Sequence, residues 1–500
     1  MKPIYKYFLF FLICKLIALF VFTKFSLNYD YTISKLKGDT KAYMYAANNL
    51  VTTGTYAFED NGDGVTKYVL RMPGMGAILA LFLKLFSISN AMKVFVFFQI
   101  ILAAIAAGYL FAYLKDKIKS NILFVSLMLF FGLSYFMNNY IAVNLSETIA
   151  QSLFIITIVF VLKRTEVKIN VKLFVISFLF AWLIFLRPFM LLFSPFIALM
   201  LMQNTGFRFS NFFKWNKIKT VFCFFSLFFV CESLWIYRNY IVTNEFIPLE
   251  YSVKAEKESV MQEFTPIIYE YIKAYNGVIS VAYDDRSTSH YLWFYRDVEL
   301  KKKGVVRPEN SIFPSYAFTK EITIDSITKW RSDLDSAMNF PITDTRRMLA
   351  KEVFAKKMQP LIAGVKNNTG SFFQVKVRFV NFYRYIVPPF QSGKYFFNIE
   401  WMKKISALVD YAASLVFISL FMILGLFYVF KTYRTNFMVL YLIIPSFLLL
   451  LIFSFYFNVR EERELYVFYP VFFIAGTMFF NQLITKFINR RFEKSSNNRN

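Results

Sequence analysis

The sequence predicts an all-α polytopic membrane protein: about ten transmembrane helices, amphipathic helices in a first external loop, and one large external loop. Three observations carry that expectation. Apolar residues make up 57% of the 500-residue chain and charged residues only 18%, and the mean hydropathy is +0.45; an average globular chain is roughly 45–50% apolar and about 25% charged. The apolar residues gather into runs of about the length that crosses a bilayer core of roughly 30 Å. Lysines and arginines collect on alternate connections between those runs, the bias that sets orientation in a membrane.

The same composition excludes other classes. The net charge is +25, but no contiguous basic tract offers a groove for nucleic acid, so no nucleic-acid partner is expected. One histidine, His290, cannot build an imidazole metal centre. Cys14, Cys223 and Cys231 all lie inside apolar runs, which argues against a disulfide framework.

The ten runs fall near residues 7–25, 92–114, 120–137, 141–162, 172–186, 188–203, 220–237, 406–430, 436–457 and 464–484. The first follows Lys2 and Lys6 but has no small-x-small cleavage site before polar sequence, so it reads as a retained span. The cations Lys115, Lys117 and Lys119, then Lys163, Arg164 and Lys168, mark two cytoplasmic connections. Arg208, Lys214, Lys217 and Lys219 mark a third, Lys431 and Arg434 a fourth, and Lys486, Arg490, Arg491 and Lys494 the tail. Both termini are then cytoplasmic, and the opposite short connections at 138–140 and Arg187-Pro188 are nearly uncharged. The chain divides into an N-terminal transmembrane module (1–237) containing the first external loop (26–91), a large external loop (238–405), and C-terminal helices with a basic tail (406–500).

Within the first loop, Tyr43, Ala47, Leu50 and Val51 share one face of a short helix, with Asp39 near its N-cap and Gly54 as its stop. A second helix runs from Pro73 to Phe86, opened by proline in its first turn and almost wholly apolar. In the large loop, 343–359 has helical spacing and is expected to end at Pro360, and Phe372–Phe390 alternates basic and aromatic residues suited to lipid headgroups.

Ionisable groups at the outer membrane boundary are costly and usually functional. Asp39, Arg71, Glu147, Arg187, Arg238 and the cluster Arg460-Glu461-Glu462-Arg463-Glu464 all fall on that face. Together they suit one outward cavity, with cations to hold an anion and carboxylates to move a proton. Each also has a plainer reading. Asp39 is a good helix cap; Arg71 and Arg238 fit interfacial anchors that snorkel; Glu147 pairs as well with Arg187; the 460–464 cluster fits a solvated loop.

The motif order resembles a known family. Gly38-Asp39-Thr40-x-x-Tyr43, Ala46-x-x-x-Leu50-x-x-x-Gly54-x-Tyr56 and Arg71-x-Pro73-Gly74 are followed by Ser146-Glu147 and Leu186-Arg187-Pro188. Trp235-x-x-Arg238-Asn239-Tyr240 and Glu462-Arg463-Glu464-Leu465-Tyr466, with Pro470 beyond, complete the series. In this order and topology the chain resembles the GT-C glycosyltransferases, nearest the branch of protein O-mannosyltransferases and the lipid A aminoarabinose transferase. The resemblance implies transfer of a sugar from a polyprenyl-phosphate donor, at the outer face of a bacterial cytoplasmic membrane, to a lipid, glycan or protein acceptor. It implies Asp39 at the catalytic centre, Arg71 on the lipid phosphate, and Arg187 and Arg463 facing the cavity, with Tyr43, Glu147, Arg238, Arg460 and Glu462 around them. The chain departs from relatives with paired acidic residues, since Thr40 follows Asp39. It also has Arg71-Met72-Pro73 in place of a Lys-Pro-Pro turn and no matching histidine, which counts against aminoarabinose and its zinc.

The chemistry suits those assignments. A phosphate leaving group gains charge as the C1–O bond breaks, and guanidiniums fork onto phosphate oxygens bidentately. A carboxylate within hydrogen-bond reach takes the acceptor's proton, worth about 10²–10⁴-fold, and direct displacement inverts the anomeric carbon. No metal ligand is assigned, although Asp39 and Glu147 offer oxygens for a divalent cation. Two other functions stay open on sequence: a flippase or transporter of lipid-linked oligosaccharide, and a polymerase or ligase of surface polysaccharide. Outer-boundary charges and the lack of an internal repeat favour an enzyme over a transporter, whose polar sites sit near the midplane.

Overall fold

The structure is a computed structural model. It describes residues 2–25, 39–59, 66–68, 71–138, 140–163, 169–204, 214–249, 265–276, 317–337, 344–386, 420–432, 437–457 and 466–497, with single positions at 408, 412 and 415. The described chain is helical apart from a two-residue antiparallel ladder, β1 (Phe58–Glu59) with β2 (Thr66–Lys67).

The first apolar run forms α1 (Lys2–Phe25). The two helices expected in the first loop follow as α2 (Asp39–Thr53) and α3 (Pro73–Leu85). Gly54, at φ 72°, closes α2 in the left-handed conformation that stops a helix cheaply only at glycine. Tyr43 and Ala47 are buried and Leu50 half-buried, but Val51 is exposed, so the inward face is set by Thr40, Tyr43, Met44 and Ala47 instead.

Next come α4 (Ile88–Lys115), α5 (Asn121–Leu133) and the single-turn α6 (Tyr135–Asn138). The expected run 120–137 is therefore broken at Ser134, whose extended backbone ends α5. The carbonyls freed by that break are recovered by Asn138, whose amide donates to Gly132 O (3.1 Å) and Ser134 O (2.8 Å). Asn138 Oδ1 in turn accepts from the buried Lys15 ammonium of α1 at 2.9 Å.

The run expected at 141–162 begins late. Residues 140–146 make turns, and α7 (Glu147–Leu162) starts only after them. Then α8 (Ile169–Leu186) ends at Arg187, forced extended by the following proline. The run at 188–203 is not one α-helix. A 3-10 turn (Pro188–Phe193) precedes α9 (Ser194–Asn204), because Pro195 brings no N–H to continue the α pattern; Leu191 O accepts instead from Ser194 Oγ at 2.7 Å.

Beyond it runs α10 (Trp215–Thr243). Two described helices, α4 and α10, are long and apolar enough to cross a membrane.

Described parts of the large loop form a separate small core. It comprises α11 (Thr265–Asn276), α12 (Ile324–Ala337) and α13 (Thr345–Ile386), packed through Ile268, Tyr271, Tyr275, Ile327, Phe354, Met358, Leu361 and Val365. Asp344 caps α13: its Oδ1 accepts the Arg346 N–H at 2.9 Å, and the Arg346 side chain holds its carboxyl down at about 2. The helix does not end at Pro360. That residue is exposed, so the carbonyl it deprives is open to solvent, while Met358, Leu361 and Ile362 keep the helix seated. The break comes instead at Gly370, at φ 70°.

The last helices are α14 (Phe421–Thr432), α15 (Phe437–Leu451) continued by a π-turn (Ile452–Phe457), and α16 (Tyr469–Asn497). Of the expected run 406–430, most of 406–420 lies outside the described residues.

In the main core α1 packs on α4, α4 on α7, α7 on α8 and α8 on α10, and α16 closes against α14. Phe111 meets Phe11 at 4.9 Å between ring centres and Phe131 at 5.7 Å, and Phe473 of α16 meets Phe131 at 5.5 Å. The last helix thus shares one core with the first. At the C-terminal ends of α7 and α9, buried lysines cap helix carbonyls: Lys172 Nζ donates to Lys163 O (2.9 Å) and Lys217 Nζ to Met202 O (2.8 Å).

The Lys15–Asn138 pair yields a stability prediction. Asn138→Leu strands a buried ammonium and two carbonyls, and costs about 3–5 kcal/mol. Lys15→Met costs less, and the double variant recovers part of the Asn138→Leu loss. Thermal midpoints of the four proteins in one detergent form the cycle; strict additivity would deny the coupling.

Candidate functional site

The centre of the site is a buried ion pair. Glu147 opens α7, where the partial positive charge of a helix start favours a carboxylate. Its side chain has no exposed surface, and Oε1 is met by Nη2 of Arg187, whose side chain is 12% exposed. Arg187 stands at the end of α8, with its N–H on Leu183 O (2.9 Å) and its carbonyl accepting from Met190 N (3.0 Å). Two helices thus deliver opposite charges to one point in an apolar bundle.

The C-terminal part of the chain closes one side. Tyr466 stacks edge-on against Tyr140 at 5.0 Å, its hydroxyl donates to Met137 O (2.7 Å), and its carbonyl accepts from Gln151 Nε2 (2.6 Å). Gln151 lies one turn beyond Glu147 on the same face of α7. Tyr466 is a site residue the sequence reading quoted only as part of a motif.

The elements of residues 56–85 reach the same end of α8. Gly74, in the first turn of α3, lies so close to the end of α8 that an added Cβ would sit 2.5 Å from Phe185 O and 2.8 Å from Leu186 N. Arg71, half-buried and three residues ahead of Gly74, is thereby carried toward the end of the helix that supplies Arg187. Tyr56 braces that start: its hydroxyl donates to Met72 O at 3.1 Å.

Arg238, half-buried, is bonded mainly to backbone. Its Nη1 donates to Tyr68 O (2.7 Å) and Asn239 Oδ1 (3.0 Å), its Nη2 donates to Tyr56 O, and the guanidinium lies over Trp235 at 4.9 Å. It ties α10 to the backbone around β1 and β2. The same helix face holds the turn beyond α10: Glu232 Oε1 accepts from Leu249 N (2.6 Å), Trp235 Nε1 donates to Leu249 O (2.5 Å), and Asn239 Nδ2 donates to Ile247 O (3.0 Å). A sequence signal for this existed in Trp235, Arg238 and Asn239, spaced to lie on one helical face.

Of the other expected residues, Tyr43 is buried in the main core and Asp39 is the first residue of α2, its side chain outside the described residues. Arg460, Glu462 and Arg463 lie outside the described residues altogether. Among the described residues no group of three or more histidine, cysteine, aspartate or glutamate side chains gathers to hold a metal ion. A groove of about 300 Å³ between α12 and α13, lined by Trp330, Asp333, Arg346, Leu349, Val353 and Lys357, is built from none of the expected site residues.

Comparison with family models, curated proteins and solved structures returns no match to this chain.

The ion pair and the α3–α8 contact each make a prediction. Arg187→Met leaves a buried carboxylate without its partner and lowers stability by about 3–5 kcal/mol; Glu147→Leu added to it restores most of the loss, read as thermal midpoints in detergent. Gly74→Ala forces α3 off the α8 backbone, costing about 1–3 kcal/mol, and an unchanged midpoint would show that the contact is not tight.

Proposed function

We propose that the protein is a polytopic membrane glycosyltransferase that moves a sugar from a polyprenyl-phosphate donor onto an acceptor hydroxyl at the outer face of a bacterial cytoplasmic membrane. About ten spans carry the site, with both termini in the cytoplasm. The observation that carries the reading is the buried Glu147–Arg187 pair at the end of α8 against which the start of α3, next to Arg71, is packed. In the motif order resembling the GT-C enzymes, Arg71, Glu147 and Arg187 are three of the residues expected around one cavity.

The surface of α10 supports the membrane assignment. Only 22% of its most apolar stretch is buried, and Phe222, Phe229, Val230, Leu234 and Ile241 are largely exposed. A core helix of a soluble protein hides such side chains, whereas lipid accepts them. Helices shorter than a span fit the same reading where they join in series. At about 1.5 Å per residue α9 covers roughly 17 Å, and the preceding 3-10 turn adds roughly 12 Å at 2.0 Å per residue.

In the reaction the donor phosphate lies among the arginines, with Arg71 as its main holder and Arg463 beside it. Their charge favours the transition state over the ground state, because the leaving oxygen becomes more negative as the glycosidic bond breaks. Asp39 takes the proton of the acceptor hydroxyl as that oxygen attacks C1 from the opposite face, so configuration inverts.

Purified protein in nanodiscs is expected to transfer sugar from a polyprenyl-phosphate donor. Asp39→Asn and Arg71→Ala each lower kcat at least about 100-fold while leaving the thermal midpoint within a few degrees. Transfer that survives Asp39→Asn removes that residue as base. Cysteine labelling from either side of the membrane tests orientation: positions 116–119 react from the cytoplasm and 60–65 from outside, and the reverse pattern defeats the reading.

A further inference from the structure

The turn that carries Glu147 has more hydrogen-bonding capacity than the ion pair uses. Among the described residues Asn144 Oδ1, Ser146 Oγ and Glu147 Oε2 have no hydrogen-bond partner, nor does Gln99 Oε1, whose amide nitrogen is held by Val143 O at 3.0 Å, while the Thr148 hydroxyl beside them faces that of Tyr466. The five residues are between 0 and 3% exposed. A folded protein leaves few buried polar atoms unmade, and each calls for a water, an ion or a ligand group. Here they belong to residues 144–148, the turn ahead of α7 and the first residues of α7, and to the α4 side chain bonded to the preceding Val143.

The composition of the set says what it takes. Asn144, Gln99 and the carboxylate present acceptor oxygens, while Ser146 and Thr148 both accept and donate. A phosphate, which needs donors and positive charge, finds hydroxyls, the Asn144 amide and a guanidinium whose charge Glu147 already cancels. A metal cation finds oxygens but no net negative charge, because Arg187 neutralises Glu147. An alcohol brings the O–H donor that the acceptors lack and accepts a bond from serine or threonine in return.

We propose that residues 143–148 with Gln99 form a niche for alcohol hydroxyls, and that the ring hydroxyls of the carrier-linked sugar occupy it. The identity of the ligand rests on the glycosyltransferase reading; the preference for hydroxyl over anion or cation rests on the atoms alone. The sugar is then oriented by oxygens of the turn ahead of α7, the start of α7 and Gln99 of α4 while its phosphate faces the arginines.

The test uses the full chain in phosphatidylcholine nanodiscs, with alkyl glucosides, mannosides and galactosides as hydroxyl probes, a short polyprenyl monophosphate as the anion and an alkylammonium as the cation. Ser146→Ala is nearly isosteric and removes a hydroxyl that has no partner among the described residues, so its unliganded thermal midpoint stays level or rises. At least one alkyl glycoside is expected to bind the wild type and to bind the Ser146→Ala variant about tenfold more weakly, while polyprenyl phosphate affinity changes less than twofold. Three results overturn the niche: no glycoside binding, equal binding to both proteins, or loss of phosphate or alkylammonium binding as large as that of the glycoside. The two readings fail separately. Glycoside discrimination without sugar transfer keeps the niche and defeats the enzyme, whereas transfer with equal glycoside binding defeats the niche alone.

Discussion

A carboxylate and a guanidinium held inside an apolar bundle are tolerable only together. Taken from water singly, either ion carries a desolvation penalty of several kcal/mol, and mutual attraction offsets it only at contact. That requirement fixes where α7 starts and where α8 stops. Glu147 has to sit at a helix N-terminus, where the backbone adds to its stabilisation, and Arg187 has to leave its helix in an extended conformation to face it. Pro188 supplies the second condition, since the residue before a proline is driven out of the α region.

The surrounding layers serve that point from three directions. Gly74 lets α3 press directly on the backbone at the end of α8, Tyr466, just ahead of α16, bonds Met137 of α6 and packs on Tyr140 in the turn ahead of α7, and Lys15 reaches from α1 to hold the break between α5 and α6. The opposite ends of α7 and α9 are treated differently, with lysine ammonium groups placed on carbonyls that the helices leave open. Charge is thus segregated by function along the helices: simple caps at one end, a compensated acid and base at the other. The arginines also differ from one another. Arg238 donates to backbone carbonyls beside β1 and β2, so the same residue type serves as scaffold in one place and as ion-pair partner in another.

Much of the helical layout was legible because it follows from composition and local steric rules. Apolar runs gave α1, α4, α8 and α10 within a few residues at most ends, and Gly54 and Pro73 marked helix limits through backbone conformations that few other residues share. What was not legible depends on tertiary compensation. Ser134 breaks an apolar run only because Asn138 and Lys15 recover the carbonyls, and nothing within 120–137 announces partners on α1. Pro360 is passed over because neighbours in a separate core hold α13 straight, while the actual break falls at Gly370. In the site, the pairing of Glu147 with Arg187 was readable as one of two uses of each residue. For Arg238 the local partners Trp235 and Asn239 were readable from helical spacing, but its distant ones, the carbonyls of Tyr56 and Tyr68, were not, because main-chain oxygens have no sequence signature.

The neutrality of the central pair bears on what can approach it. At about 4 Å and an effective dielectric of 20, a lone carboxylate would oppose a phosphate charge by about 4 kcal/mol. With Arg187 in contact the two fields largely cancel, so the acceptor-rich turn at 143–148 can lie beside an anion-binding region without repelling its ligand. Full neutralisation has the converse effect, because Arg187 contributes little attraction of its own while it faces Glu147. An anionic donor would therefore have to be held by charge lying outside the pair. The neutral pair would set the distance between the anionic and hydroxyl-bearing ends of one substrate.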